Sequence, residues 1–329
     1  MRSGYSDAVT ALTMPLVLDA RRVMEGRVRR TPMESSPRLS EIAGVPVSLK
    51  LESLQLTGSF KIRGAYFTLT RLPEAERARG VVTCSAGNHG KAIAYVAREL
   101  GIPATIYVPQ SVDDAKHRAM LALGAEVLRT EFDGFDETER LAKADAAQSG
   151  RPYLTAFDDV LILAANGGTL AVEVLEDAPA ARTFLLPVGG AGLAGGFAFY
   201  AKTALPDVRI IGCQHADSPA LALSLEKGEA VLTLPPVPTT AGGLEGGIGK
   251  TGFDVLKTRI DGVALLTEEE IFDAVRFMID AHQYLIEPSS AVTVAALLTG
   301  KAGRLDSPAV AVISGRNVAL STIRRILAA

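Results

Sequence analysis

Four short segments combine small residues with side chains able to do chemistry. Thr57-Gly58-Ser59-Phe60-Lys61-Ile62-Arg63-Gly64-Ala65 sets a lysine beside an aromatic ring, in a turn that then reads as a helix start. Taken alone, that is a surface lysine; kept unprotonated, the same amine is a nucleophile and a base. Ser85-Ala86-Gly87-Asn88-His89-Gly90 follows an apolar run and opens an amphipathic one. Such a turn exposes backbone N–H groups at the positive end of a helix and suits a carboxylate or phosphate, and it equally fits a tight turn with Asn88 as helix cap. Pro187-Val188-Gly189-Gly190-Ala191-Gly192-Leu193-Ala194-Gly195-Gly196 lets the main chain close on phosphate oxygens without Cβ obstruction. Gly190, Gly192 and Gly195 also spell the dinucleotide pattern, but Gln214 stands where a ribose-binding acid is needed, which disfavours a nicotinamide cofactor. The fourth segment, Ser314-Gly315-Arg316-Asn317, puts a hydroxyl where a ligand or a following helix could use it.

The elements that must position these groups alternate in type. Runs rich in Val, Ile and Leu predict strands at 47–51, 81–84, 104–108, 125–129, 183–188, 208–213, 262–266 and 309–314. Between them, 89–100 lines up Ile93, Val96 and Leu100 and stops at Gly101, while 267–282 opens with the capping-box spacing of Thr267 and Glu270. Near-continuous apolar strands alternating with helices imply α/β architecture, a parallel sheet covered on both faces. Uneven intervals and the Gly/Pro-rich stretch 235–252 argue against a closed barrel. Two open doubly wound, three-layer units with ligands at the strands' carboxyl ends fit better.

Bulk properties exclude several classes of function. The 329 residues are 48% hydrophobic and 22% charged, with a net charge of −3 and both signs interspersed. That balance predicts neither a nucleic-acid nor a membrane partner. The basic cluster Arg21, Arg22, Arg27, Arg29 and Arg30 reads as a solvated helix face and adjoining loop. Two cysteines, Cys84 and Cys213, cannot frame a disulfide scaffold and read as buried strand residues. With no leader-like N-terminus and no long apolar span, a cytoplasmic protein is expected.

Weak singly, the four segments together resemble the fold-type II pyridoxal-phosphate enzymes, a family that includes threonine and serine dehydratases and serine racemase. The resemblance runs from Thr31-Pro32 through Ser59-Phe60-Lys61, Ser85-Ala86-Gly87-Asn88-His89, the loop 189–193 and Glu287-Pro288-Ser289 to Ser314. It implies a tryptophan-synthase-β-like architecture. A large cofactor-binding domain would comprise 1–73 and 154–329, and a small domain, 74–153, would close over the site. Lys61 is then the catalytic lysine that holds pyridoxal 5'-phosphate as a Schiff base, with Phe60 beside the ring. Asn88 would meet the ring's phenolic oxygen, Gly189, Gly190, Ala191, Gly192 and Leu193 the phosphate, and Ser314 the pyridine nitrogen. Ser85, Ala86, Asn88 and His89 would receive the substrate carboxylate. Lys61, once freed, is a base at Cα–H, and a hydroxyl at the pyridine nitrogen favours β-elimination over transamination.

The expected activity is therefore a lyase reaction that converts a threonine- or serine-like 3-hydroxy amino acid to a 2-oxo acid and ammonia. Ala86 stands where serine racemase has its acidic serine, which disfavours the alternative of a racemase. Other positions depart from the family pattern. Gln214 and Ala220 replace the carboxylates that bind a cation in relatives, so no metal is expected there. Ala165-Asn166-Gly167-Gly168-Thr169 lacks a glutamine and adds a residue, and Lys91 and Arg316 replace Gln and Gly. If those cations face the cleft, a 3-hydroxyaspartate-type or hydroxyectoine-derived substrate becomes an alternative. A homodimer is expected from the family, and so, from the chain's length, is the absence of a regulatory domain and of feedback inhibition.

Overall fold

The computed structural model describes residues 11–328. Of the segments expected to form the two domains, residues 1–10 and 329 lie outside the described part. Among the described residues nine strands form two sheets. β1 (Met33–Ser35), β2 (Val47–Leu51), β6 (Thr183–Pro187), β7 (Arg209–His215), β8 (Gly262–Leu266) and β9 (Ala309–Ile313) make a six-stranded sheet in the order β1-β2-β9-β6-β7-β8. All neighbours in it run parallel except β1, which is antiparallel to β2 on the edge. β3 (Val81–Cys84), β4 (Ala104–Val108) and β5 (Glu126–Arg129) form a parallel three-stranded sheet.

Alternation along the strands divides the core of the larger sheet. Leu49, Leu51, Leu185, Ile211 and Ile313 pack on one face against the helices Glu268–His282 and Pro288–Leu298. Phe184, Leu186, Ile210, Val310 and Val312 pack on the other, against Gly192–Ala204. Successive residues point to opposite faces, so strands such as Ala309–Ile313 must be apolar throughout. Cys84 and Cys213 are buried free thiols, and burial pushes Cys84 up to about 12.

The predicted elements form with shifts of one or two residues at their ends. Thr267 makes its capping box with Glu270, and Gly101 ends its helix in the left-handed conformation at φ 66°. β1 is an addition, a three-residue edge strand whose Met-Glu-Ser carries no periodic signal. The basic cluster is drawn onto the chain itself: Arg21 and Arg30 pair with Glu176, and Arg30 also with Asp177. Among the described residues no helix is long and apolar enough to cross a membrane.

Strand order positions the site. β2, β9 and β6 are neighbours, so the segments leaving their carboxyl ends converge: Thr57–Lys61, Ser314–Asn317 and Gly189–Leu193. These are crossover positions of the kind where open α/β sheets bind ligands.

Candidate active site

Lys61 is the first residue of the helix Lys61–Arg71. Its segment is stitched to the end of β9. Phe60 N donates to Ser314 O at 3.1 Å, Arg316 N to Gly58 O at 2.9 Å, and Ser59 and Gly315 form an isolated antiparallel bridge. Gly58 (φ 79°) is required here, because a Cβ would stand 2.7 Å from Asn317 Oδ1. Lys61 Nζ donates to Ala156 O at 2.7 Å and lies 5.3 Å from the centre of the Phe60 ring. Burial pushes this amine down to about 8, against the pull of the Glu287 carboxylate. Near neutrality, an appreciable fraction is the free base that attacks carbonyls and takes protons.

The residue after Ala156 ties the lysine to the glycine loop. Cβ atoms at Gly190 and Gly189 would stand 2.3 Å from the Phe157 ring and 2.1 Å from Gly243 O. Ala191 sits at φ 67°, an uncommon conformation for a residue with a side chain. The helix Gly192–Ala204 starts immediately after it, and its first internal bond is Gly195 N to Ala191 O at 2.8 Å. The amides of Gly192, Leu193 and Ala194 therefore precede the helical ladder, at the positive end of the dipole. A phosphate fits there. Beside Lys61, the hydroxyls of Ser59 and Thr57 are buried without a hydrogen-bond partner among the described residues, as expected of groups awaiting a ligand. A free amine, a glycine cradle for an anion and unpartnered buried hydroxyls suit an aldehyde cofactor that carries a phosphate.

Asn88 opens its helix without capping it; Gly87 precedes it and supplies no side chain. Its carboxamide faces outward instead. Nδ2 donates to Glu287 Oε1 at 2.7 Å, and Oδ1 accepts from Asn317 Nδ2 at 2.6 Å. Burial pushes the Glu287 carboxyl up to about 7, against the hydrogen bond from Asn88. Ser85 Oγ accepts from Gly87 N at 3.2 Å, folding the turn so that the first amides of the helix stay free of it. The His89 imidazole is turned the other way. It is buried against Thr83 Oγ1 at 3.0 Å, and burial together with the Lys61 charge pushes it down to about 3. A carboxylate at this helix start would meet the His89 main-chain amide and not its ring.

Three further features take their form from long-range packing. Residues Ala164–Gly168 form a buried π-helical turn, which absorbs the extra residue seen in this segment. Asn166 Oδ1 in that turn accepts from Gly64 N at 2.8 Å, holding the first turn of the Lys61 helix. Gly167 lies so close to Leu193 O that a Cβ would come within 1.9 Å. The same turn thus braces both the lysine helix and the glycine loop. Second, Arg63 is fully buried between Glu52 and Glu173. Third, the Gln214 carboxamide is taken up by the main chain: Oε1 accepts from Leu221 N (2.9 Å) and Ala222 N (3.2 Å), and Nε2 donates to Val188 O (3.2 Å).

Comparison with known proteins agrees with this chemistry. A family model described as "Pyridoxal-phosphate dependent enzyme" matches residues 24–315. An L-threonine ammonia-lyase of Geobacter sulfurreducens is 38% identical over 315 residues, covering 95% of this chain and 77% of the relative. Serine racemase from Dictyostelium discoideum superposes with a TM-score of 0.86 at 32% identity, covering 94% of this chain and 99% of that one. The processed form of threonine deaminase isoform 2 from Solanum lycopersicum gives 0.87 at 29% identity, covering 95% and 93%.

Proposed function

Since the chain belongs to the pyridoxal-phosphate dependent enzyme family, we propose that it is a dehydratase that converts a threonine- or serine-like 3-hydroxy amino acid to a 2-oxo acid and ammonia. The observation that carries this reading is the Lys61 amine, depressed to about 8 and bonded to Ala156 O, with Phe157 packed on the glycine cradle. The L-threonine ammonia-lyase and threonine deaminase likenesses support the same reaction.

Each residue has a part in it. Lys61 would hold the cofactor through its aldehyde, Gly189, Gly190, Ala191, Gly192 and Leu193 would hold its phosphate through main-chain amides, and Phe60, Asn88 and Ser314 would line its ring. Pyridoxal phosphate, when bound, supplies the electron sink that acidifies the substrate's Cα–H. The amides that open the Asn88 helix, within Ser85–His89, receive the substrate carboxylate and orient Cα–H toward Lys61 Nζ, which takes the proton. Glu287, poised near neutrality and bonded to Asn88, keeps that wall of the site from fixing a full negative charge. Ala86 offers only a methyl group, so no hydroxyl at this position returns a proton to Cα as racemisation requires. We take the protein to work in the cytoplasm as a homodimer, on a small amino acid rather than on nucleic acid or membrane.

The test is release of ammonia and 2-oxo acid from a panel of 3-hydroxy amino acids that includes threonine and serine. The wild-type holoenzyme should release both in equal amounts, and Lys61→Ala neither. Undiminished release by Lys61→Ala, or inverted amino acid forming faster than oxo acid, would refute the assignment.

A further inference from the structure

Lys91 heads a hydrogen-bond relay that passes in one direction through two carboxamides to a carboxyl group. Its Nζ donates to Asn317 Oδ1 at 2.7 Å, Asn317 Nδ2 donates to Asn88 Oδ1 at 2.6 Å, and Asn88 Nδ2 donates to Glu287 Oε1 at 2.7 Å. The groups that hold Asn317 permit no other direction. An ammonium only donates, and Thr57 O, which Asn317 Nδ2 also reaches at 2.8 Å, only accepts. Turning the Asn317 carboxamide over would set its amide hydrogens against the Lys91 ammonium and its oxygen against Thr57 O. With Asn317 fixed, Asn88 must keep Oδ1 toward it and Nδ2 toward Glu287. Glu287 alone could not dictate this, because a carboxyl raised to about 7 is both a donor and an acceptor near neutrality.

In other respects Lys91 is poorly placed. It lies in the first turn of the helix Asn88–Leu100, where the dipole disfavours a cation. Burial and the Arg316 charge push its amine below the ordinary value, against the pull of Glu287. Local conflicts of this kind are tolerated at functional sites. We propose that Lys91 is a positioning residue: through Asn317 it fixes and polarises the Asn88 carboxamide, so that the Nδ2 hydrogen not used by Glu287 becomes a strengthened donor to the phenolic oxygen of pyridoxal phosphate. Hydrogen bonds in series strengthen one another, and a charged donor at the head is the strong case. This inference rests on the proposed placement of the cofactor ring against Asn88 and holds whichever amino acid is the substrate.

The test is the absorption spectrum of the purified holoenzyme at a fixed pH. An ionised phenolic oxygen gives the bound cofactor its visible band and an un-ionised one a near-ultraviolet band, so their ratio reports the donor at that oxygen. Lys91→Met should lower the visible-to-ultraviolet ratio by roughly 2- to 10-fold, the size given by a cooperative gain of about 10–30% of one amide hydrogen bond. Lys91→Arg, which keeps a cationic donor, should restore most of it. The same fall should occur in a Glu287→Gln background, where no carboxyl can take up a proton in response to the lost charge. A ratio unmoved in Lys91→Met, an equal fall in Lys91→Arg, or a fall that vanishes in the Glu287→Gln background would overturn the inference. So would a lower melting temperature with an unchanged spectrum, the mark of a merely structural role. A Lys91-dependent spectrum in a protein that releases no oxo acid from any 3-hydroxy amino acid would support the relay and sink the dehydratase reading instead.

Discussion

Replacing Arg63 with methionine removes the centre of a buried charge cluster two residues from Lys61. The guanidinium is fully buried and donates to both oxygens of two carboxylates, at 2.8 Å twice to Glu52 and at 2.7 and 2.9 Å to Glu173, with Thr169 Oγ1 at 3.2 Å. Lys50 Nζ, also buried, approaches Glu173 at 3.0 Å and Asp177 at 3.3 Å. Without Arg63, Glu52 retains Thr31 Oγ1 and the field of Lys50 but loses its direct ion pair. Breaking one partner of a buried pair costs about 3–5 kcal/mol, and urea unfolding should show a loss of that size at pH 7. Burial opposes the Glu52 charge, yet the charge and hydrogen bonds of Arg63 prevail and hold the carboxyl below its ordinary range. A depressed carboxyl stabilises the fold above its unfolded value and loses that contribution as pH falls through the folded one. The penalty of Arg63→Met should therefore shrink on acidification, because the orphaned Glu52 can then take up a proton. Adding Glu52→Gln to Arg63→Met should recover 1 kcal/mol or more relative to the sum of the single changes, roughly the middle of the range for contacting pairs. A loss under about 1 kcal/mol for Arg63→Met, or strict additivity of the pair, would refute this account of the cluster.

Other substitutions probe the rest of the site. Gly190→Ala drives a methyl into the Phe157 ring, where only 2.3 Å is available. Overpacking of about 1–3 kcal/mol should appear as a 5- to 150-fold weaker pyridoxal phosphate affinity in equilibrium dialysis. Asn166→Ala leaves the Gly64 amide buried and unbonded, a loss of about 1–3 kcal/mol in denaturant stability, and Asn166→Asp, which keeps an acceptor, should recover part of it. For Glu287 the sign is opposite to that of Glu52. A carboxyl raised from 4.5 to about 7 holds its proton better in the folded state, so stability falls as pH rises through that interval. Glu287→Gln should be more stable than wild type at pH 8, by up to about 3 kcal/mol, and no more stable at pH 4, which melts at the two pH values would show.

The strands were legible because each is a compact apolar run, and β1 was not because Met33-Glu34-Ser35 has neither length nor alternation. The sheet order β2-β9-β6 is a long-range fact, yet it is what brings Ser314 and the glycine loop to Lys61. Asn88 illustrates the limit of local reading. Its position suits a cap, but its carboxamide bonds Glu287 and Asn317, which lie some 200 residues further along. Likewise Arg63 looks like any helix-surface arginine until Glu52 and Glu173 close around it. The 165–169 segment signalled an irregularity by an extra residue; that a π-helical turn absorbs it, with Asn166 bracing the Lys61 helix, depends on packing against Leu193 and Gly64.

Borohydride reduction of the purified holoenzyme, followed by peptide mass mapping, bears most directly on the role of Lys61. The mass of a reduced pyridoxal phosphate adduct should appear on the peptide containing Lys61 and vanish in Lys61→Ala. An adduct on a different lysine, or a protein that takes up no pyridoxal phosphate at all, would contradict the account.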